Sequence, residues 1–241
     1  ISQLFTSVLT LRLQEEGLIS LEDKVSSLIK EFARYGKNYV SLLTCLTHST
    51  GIKESGRGGF KPKSLEEEVD KYAAREIRAN PTEDFYYGDL GCNIAGRFLE
   101  LALKKRFDIL TKQKLFTPLT MRRTTFTTLD GSPVLPAESA MTTGDDYMKF
   151  LSMLLNNGQL GGNSFLSEEA LEKFKTISAS GSFIKNNPDA MKSFNYAMGA
   201  WALEEENGKA SAIACPGWEG AFTSIDFKKG IGWLILPKEK V

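Results

Sequence analysis

Helical periodicity runs through the first three quarters of this chain and then stops, and everything after Asn195 reads as strand. Leu4, Phe5, Val8, Leu9, Leu11 and Leu13 recur at helical spacing, and Glu15-Glu16-Gly17 closes the segment with a glycine suited to a left-handed cap. Ser20-Leu21-Glu22-Asp23 reads as the cap and acidic first turn of a second helix. Asn38 to Thr50 reads as a short helix or extended turn, and residues 52–64, rich in glycine, as a loop. Further helices are predicted over Ser64–Asn80, Gly91–Arg106, Asp145–Asn156 and Ser167–Thr176. YAMGAWALE, KASAIAC, FTSIDF and GIGWLILP then predict about four antiparallel strands, punctuated by Asn207-Gly208 and Lys229-Gly230. A block of helices followed by a block of strands is the signature of an α+β fold. The expectation is one domain over residues 1–241, with a helical part over about 1–190 and a sheet part over about 195–241.

Charge and cysteine usage exclude several functions. Thirty basic residues balance thirty acidic ones, which argues against a nucleic-acid or anionic-membrane surface as the main role. Lys104-Lys105-Arg106 reads as a solvated helix end. The three cysteines, Cys45, Cys92 and Cys215, are far apart, so no disulfide framework is implied and each reads as a small buried residue. With a single histidine, His48, and no paired cysteines, no metal site and no cofactor are expected. No apolar run is long enough to span a membrane.

Three short stretches, in order, are more specific. They are Leu46-Thr47-His48-Ser49-Thr50-Gly51, then Phe85-Tyr86-Tyr87-Gly88-Asp89-Leu90-Gly91, then Cys215-Pro216-Gly217-Trp218-Glu219-Gly220. Together they resemble the serine β-lactamase and penicillin-binding-protein superfamily, in the branch of class C β-lactamases, DD-peptidases and esterases. That branch shows LLTHTSGL, YSNLGY or YSDLGY, and HxGWxG or HTGG in the same order. QEEGLISLEDKV, FTPLTMRRTTF and PAESAMTTGDDYMKFL also resemble family stretches, so the likeness spans nearly the whole chain. It implies a β-lactamase/transpeptidase-like fold, an antiparallel sheet flanked by helices with an all-α subdomain.

The family's first motif is SxxK. Matching Leu4-Phe5-Thr6 and Glu15-Glu16-Gly17 to LFT and EEG places the lysine on Gln3 and the serine one position before Ile1. A serine hydroxyl needs a neighbouring base, and the SxxK spacing sets lysine one helical turn from it. Glutamine cannot take up a proton. Ser2 is no substitute, because Phe5 occupies the position its base would need and one residue turns a side chain by about 100°; Ser2 reads as a helix-start cap.

In the second motif the resemblance gives Tyr87 a role in proton transfer and Asp89 a contact with lysine and substrate. In the third, Cys215 stands where the family has His or Lys, Gly217 keeps an open backbone and Trp218 keeps the frame; these residues would meet substrate. Pro216 cannot donate to a ladder. His48 reads as a buried structural residue, and Trp201, Trp218 and Trp233 as core or cleft lining.

Family members usually begin with one or two strands before SxxK and finish with a long helix. Neither is present here, so the sheet is expected to be incomplete at both ends, with the chain a fragment or a protein partner covering the gap. The functional expectation is a serine-hydrolase-family domain, acting on a small-molecule or peptide substrate such as a β-lactam, D-peptide or ester in its relatives. It is impaired as it stands because the serine lies outside the chain and Gln3 replaces the base. The alternative is a non-catalytic binding or scaffold module.

Overall fold

The computed structural model describes residues 1–53, 61–77, 84–180, 184–185, 187–217 and 220–237. Helix α1 (Ser2–Glu15) is buried on every side. Leu4, Phe5, Val8, Leu9, Leu11 and Leu13 have no exposure, and Ser2, Gln3, Thr6, Ser7 and Thr10 are buried as well. Burial all round marks a central helix rather than a surface amphipath. Two of its buried threonines find backbone acceptors: Thr6 Oγ1 donates to Ser2 O at 3.1 Å and Pro136 O at 2.9 Å, and Thr10 Oγ1 to Thr6 O at 2.8 Å. Phe5 lies edge-on to Phe116, Phe126, Tyr147 and Phe150, with ring centroids 4.8 to 6.4 Å apart. Gly17 follows in the left-handed region (φ +69°), as the sequence predicts.

The expected helix at Ser20 does not form. Asp23 Oδ2 accepts the Ser20 N–H at 2.8 Å and Ser20 Oγ accepts the Glu22 N–H at 3.2 Å, so the capping chemistry makes a turn. Lys24 then bridges Ser41, and the Val25 N–H reaches Val40 O at 2.9 Å, which draws the chain out before a helix can propagate. Helices α2 (Lys30–Arg34) and α3 (Leu42–Leu46) follow, α3 opened by a reciprocal cap between Ser41 and Thr44. Helix α4 (Leu65–Ala74) is capped by Ser64 as predicted but ends early. Arg75 turns extended and Ile77 bridges Ile52; residues 78–80 of that predicted helix lie outside the described residues.

Strand β1 (Phe85–Tyr86) leads to helix α5 (Leu90–Leu103), which stops at Lys104 in the left-handed region. Helix α6 (Phe107–Thr111) runs into a π-helical turn over Lys112–Phe116. Then come β2 (Thr125–Phe126), β3 (Ala140–Met141), α7 (Gly144–Leu155), β4 (Gln159–Leu160), β5 (Asn163–Ser164), α8 (Glu168–Lys175) and β6 (Ile184–Lys185). Thr143 and Ser167 cap α7 and α8.

The last elements are β7 (Asn195–Tyr196), β8 (Trp201–Glu206), β9 (Lys209–Pro216), β10 (Phe222–Asp226) and β11 (Ile231–Ile235). They form one antiparallel sheet in the order β11-β10-β9-β8-β7. The four predicted strands are there, with β7 as a short fifth. Asn207 and Gly208 both take positive φ and close the β8–β9 hairpin. Helix α7 packs on β10 and β11 and α8 on β9, while α1 packs on α5 and α8. The result is the α+β arrangement of an antiparallel sheet flanked by helices. Trp201 is buried where β8 begins, but Trp233 is 42% exposed and stacks on Phe222 at 5.3 Å, so it is not core. No helix among the described residues is long and apolar enough to cross a membrane.

Candidate active site

Three elements meet at the start of α1. Gln3 Nε2 donates to Gly88 O at 3.2 Å and to Asp89 Oδ1 at 3.3 Å, which ties α1 to the residues entering α5. The Ile1 nitrogen lies 3.4 Å from Cys215 Sγ, which sets the same helix end against β9. Residues 3, 89 and 215, remote in sequence, are therefore neighbours in the fold. Ser2 is part of the helix rather than its cap, and its Oγ accepts the Ala140 N–H at 3.2 Å. That bond pins the start of α1 to β3.

Close backbone approaches fix the loop around Tyr87. A Cβ on Gly91 would lie 2.0 Å from Cys45 O, so α5 can press on α3 only with glycine there. His48 takes a left-handed backbone (φ 54°) and its carbonyl accepts the Tyr86 N–H at 2.9 Å. The Tyr87 ring is half-buried and sits 5.0 Å from the His48 ring and 5.2 Å from Trp201. One turn past Gln3, Gly199 (φ +85°) approaches Ser7 so closely that a Cβ would meet its Oγ at 2.5 Å. This brings the entry of β8 onto α1 beside the site.

His48 is the structural residue the sequence suggests. It is buried, and Nε2 pairs with Tyr196 OH at 3.0 Å. Burial pushes its pKa down to about 3, so the ring is neutral. Burial pushes the Tyr196 hydroxyl well up, with Tyr87, Cys92 and Cys215 adding to it. Tyr196 was not singled out from sequence, because its partner lies 148 residues away and nothing local marks the pairing. Gly88 was missed in the same way, since it contributes only a backbone carbonyl. Trp201 is core, with an indole N–H that is buried without a partner.

All three cysteines are free and buried. Burial raises the Cys45 thiol, and burial, Asp89, Cys45 and Cys215 raise Cys92, so neither is a ready thiolate. Cys215 lies opposite Thr223 in the β9–β10 ladder. Gly217 closes the β9–β10 turn, with its N–H donating to Ala221 O at 2.6 Å. Trp218 lies outside the described residues. Among the described residues, no cluster of His, Cys, Asp and Glu could hold a metal ion.

The orientation of the Gln3 amide is fixed by its surroundings. Both neighbours of Nε2 are acceptors, so that atom must be the NH₂ group. The Oε1 atom is left buried without a partner. The same two acceptors would suit a lysine ammonium, but an amide there offers no base.

A helix start, a tyrosine-bearing loop and a strand end converging on one point, with helices packed on an antiparallel sheet, define the β-lactamase/transpeptidase-like fold. The Beta-lactamase family model matches residues 1–240, and the chain belongs to that family. A β-lactamase candidate from Bacteroides dorei DSM 17855 superposes with a TM-score of 0.84 at 25% identity, over 97% of this chain and 74% of that one. An octameric penicillin-binding protein homologue from Pyrococcus abyssi gives 0.77 at 22% identity, over 96% and 59%. A family VIII carboxylesterase gives 0.79 at 17% identity, over 100% and 76%. The last two likenesses show the fold alone. No curated protein matches the chain.

Proposed function

We propose that this domain binds acyl compounds in the cleft between the start of α1, the Tyr87 loop and the end of β9, and that its hydrolytic chemistry is disabled or strongly slowed at position 3. The observation that carries this reading is the Gln3 amide, held by Gly88 O and Asp89 Oδ1 where the family resemblance puts its lysine. General-base assistance is worth roughly 10²- to 10⁴-fold, and an amide supplies none of it. Tyr87 is the remaining candidate for proton transfer, and Asp89, Cys215, Gly217 and Trp218 are the proposed ligand contacts. The converging backbone supports binding, and the lost base argues against efficient turnover.

The test begins with the residue that precedes Ile1 in the source transcript. If it is serine, the protein expressed from its natural start is treated with a fluorophosphonate probe and a β-lactam, beside its Gln3→Lys variant. The expected result is little labelling of the natural protein and at least tenfold faster labelling of Gln3→Lys. Rapid labelling of the natural protein at that serine would show an active hydrolase that needs no lysine, and would refute the slowed-site reading. If the preceding residue is not serine, neither protein labels and the binding-module reading stands alone.

A further inference from the structure

We infer that a second site, apart from the cleft, takes an organic phosphate monoester where the end of α8 meets the β8–β9 turn. A concavity of about 440 Å³ opens there, walled by Lys175, Glu206, Lys209, Ser211, Phe227 and Lys228. That volume falls within the range of small-molecule sites. Lys209 opens β9 and Cys215 lies near its other end, so about 20 Å of strand separates this place from the cleft.

Three segments build this corner. Thr176, just past α8, bridges Lys209, and the Ile177 N–H donates to Gly208 O at 3.0 Å. The Phe227 N–H donates to Ser211 O at 3.0 Å, which brings the turn after β10 against the start of β9. The Lys175 ammonium lies 5.3 Å from the centre of the Phe227 ring, and its side chain is only 18% exposed. Lys175 is therefore held by the fold, with its charge at the wall of the concavity.

The arrangement of charge selects the ligand. Lys175 and Lys209 bond the two oxygens of one carboxylate, Glu172, one oxygen each. A single anion can thus span both ammoniums, and two cations on one carboxylate leave a positive charge uncompensated. Each ammonium has three donors, so both keep N–H groups for a second anion. Lys228 brings a third ammonium, paired with Glu206 at 3.4 Å between well-exposed side chains, a contact of small worth that a ligand can exchange. Three ammoniums match the three terminal oxygens of a phosphate monoester better than the two of a carboxylate. Phe227 and Ala210 give its organic group an apolar wall.

The test is an NMR titration of the ¹⁵N-labelled protein at low salt with phenyl phosphate, beside phenol as its uncharged counterpart. Phenyl phosphate is expected to bind saturably in the millimolar range, with amide shifts centred on residues 207–211 and 227–228, and phenol to leave those amides unmoved. Lys209→Gln and Lys228→Gln should each weaken binding about threefold, the scale of one exposed charge contact. Glu172→Gln should tighten it, because a competing carboxylate is gone. Lys30→Gln, the same change of charge on α2, should have no effect. Absence of saturable binding, shifts centred on Asp89 and Cys215, or phenol binding as tightly as phenyl phosphate would each overturn the inference. So would an affinity untouched by Lys209→Gln and Lys228→Gln, weakened by Glu172→Gln, or lowered as much by Lys30→Gln.

Discussion

The neutral His48 makes a quantitative demand on stability. Its folded pKa of about 3 lies below the ordinary value of 6.5, so between those limits the unfolded chain binds a proton that the folded chain refuses. Stability from this group is therefore complete above about pH 6.5 and is lost as pH falls. For one such group the loss between pH 7 and pH 5 is about 2 kcal/mol. The perturbation is His48→Asn. Asparagine tolerates the left-handed backbone at this position (φ 54°) and does not titrate, but its amide ends short of the Nε2 position and gives up the bond to Tyr196 OH. It loses ring contacts with Phe85, Tyr87 and Tyr196, so the variant should be weaker at every pH. The assay is urea unfolding of both proteins at pH 7 and pH 5. Carboxylates such as Asp146, held below the usual range by Lys149 and the Arg123 N–H against the opposing effect of burial, contribute equally to both proteins and cancel in the comparison. The natural protein should lose about 2 kcal/mol more than the variant over that interval. Equal losses would refute a neutral, buried His48.

Three further perturbations have definite expected outcomes. Gly91→Ala forces a Cβ to within 2.0 Å of Cys45 O, a backbone atom that cannot swing away, and should cost about 3 kcal/mol or prevent folding, read as a fall in Tm. Phe5→Ala empties the centre of four edge-on aromatic contacts and should cost about 3–5 kcal/mol by denaturant unfolding. In the native protein Cys45 and Cys92 should resist a thiol reagent that modifies all three cysteines in denaturant, with mass spectrometry locating the adducts.

How much of this was legible in the sequence depended on whether the determining interaction was local. Ser64, Ser167 and the acids after them announced α4 and α8, and Gly17 announced the end of α1, because caps and left-handed turns are decided within a few residues. Ser20–Asp23 carried the same local signal and made only a turn, because the Val25–Val40 pairing overrode it from a distance. The strand block was legible from its alternation and its Asn207-Gly208 turn, whereas β7 is two residues long and too short to show a period. At the site, the resemblance singled out Gln3, Asp89 and Cys215. Their meeting could not be read from spacing, since it depends on the first turn of α1 touching both the start of α5, through Asp89, and β9, through Cys215.

If position 3 is the family's lysine position, as the resemblance implies, its surroundings accommodate the glutamine found there. Gly88 O and Asp89 Oδ1 form a pair of acceptors that a lysine ammonium or a glutamine amide can satisfy equally well in number. The exchange therefore leaves the fold of the first turn intact and removes only two properties, positive charge and exchangeable basicity. An apolar side chain at position 3 would instead take this donor away from both part-buried acceptors, at a cost to stability. Glutamine avoids that cost for Gly88 and Asp89 and instead leaves its own Oε1 unpaired. Stability alone thus has a reason to keep a donor at position 3, but none to keep the unpaired oxygen that comes with it.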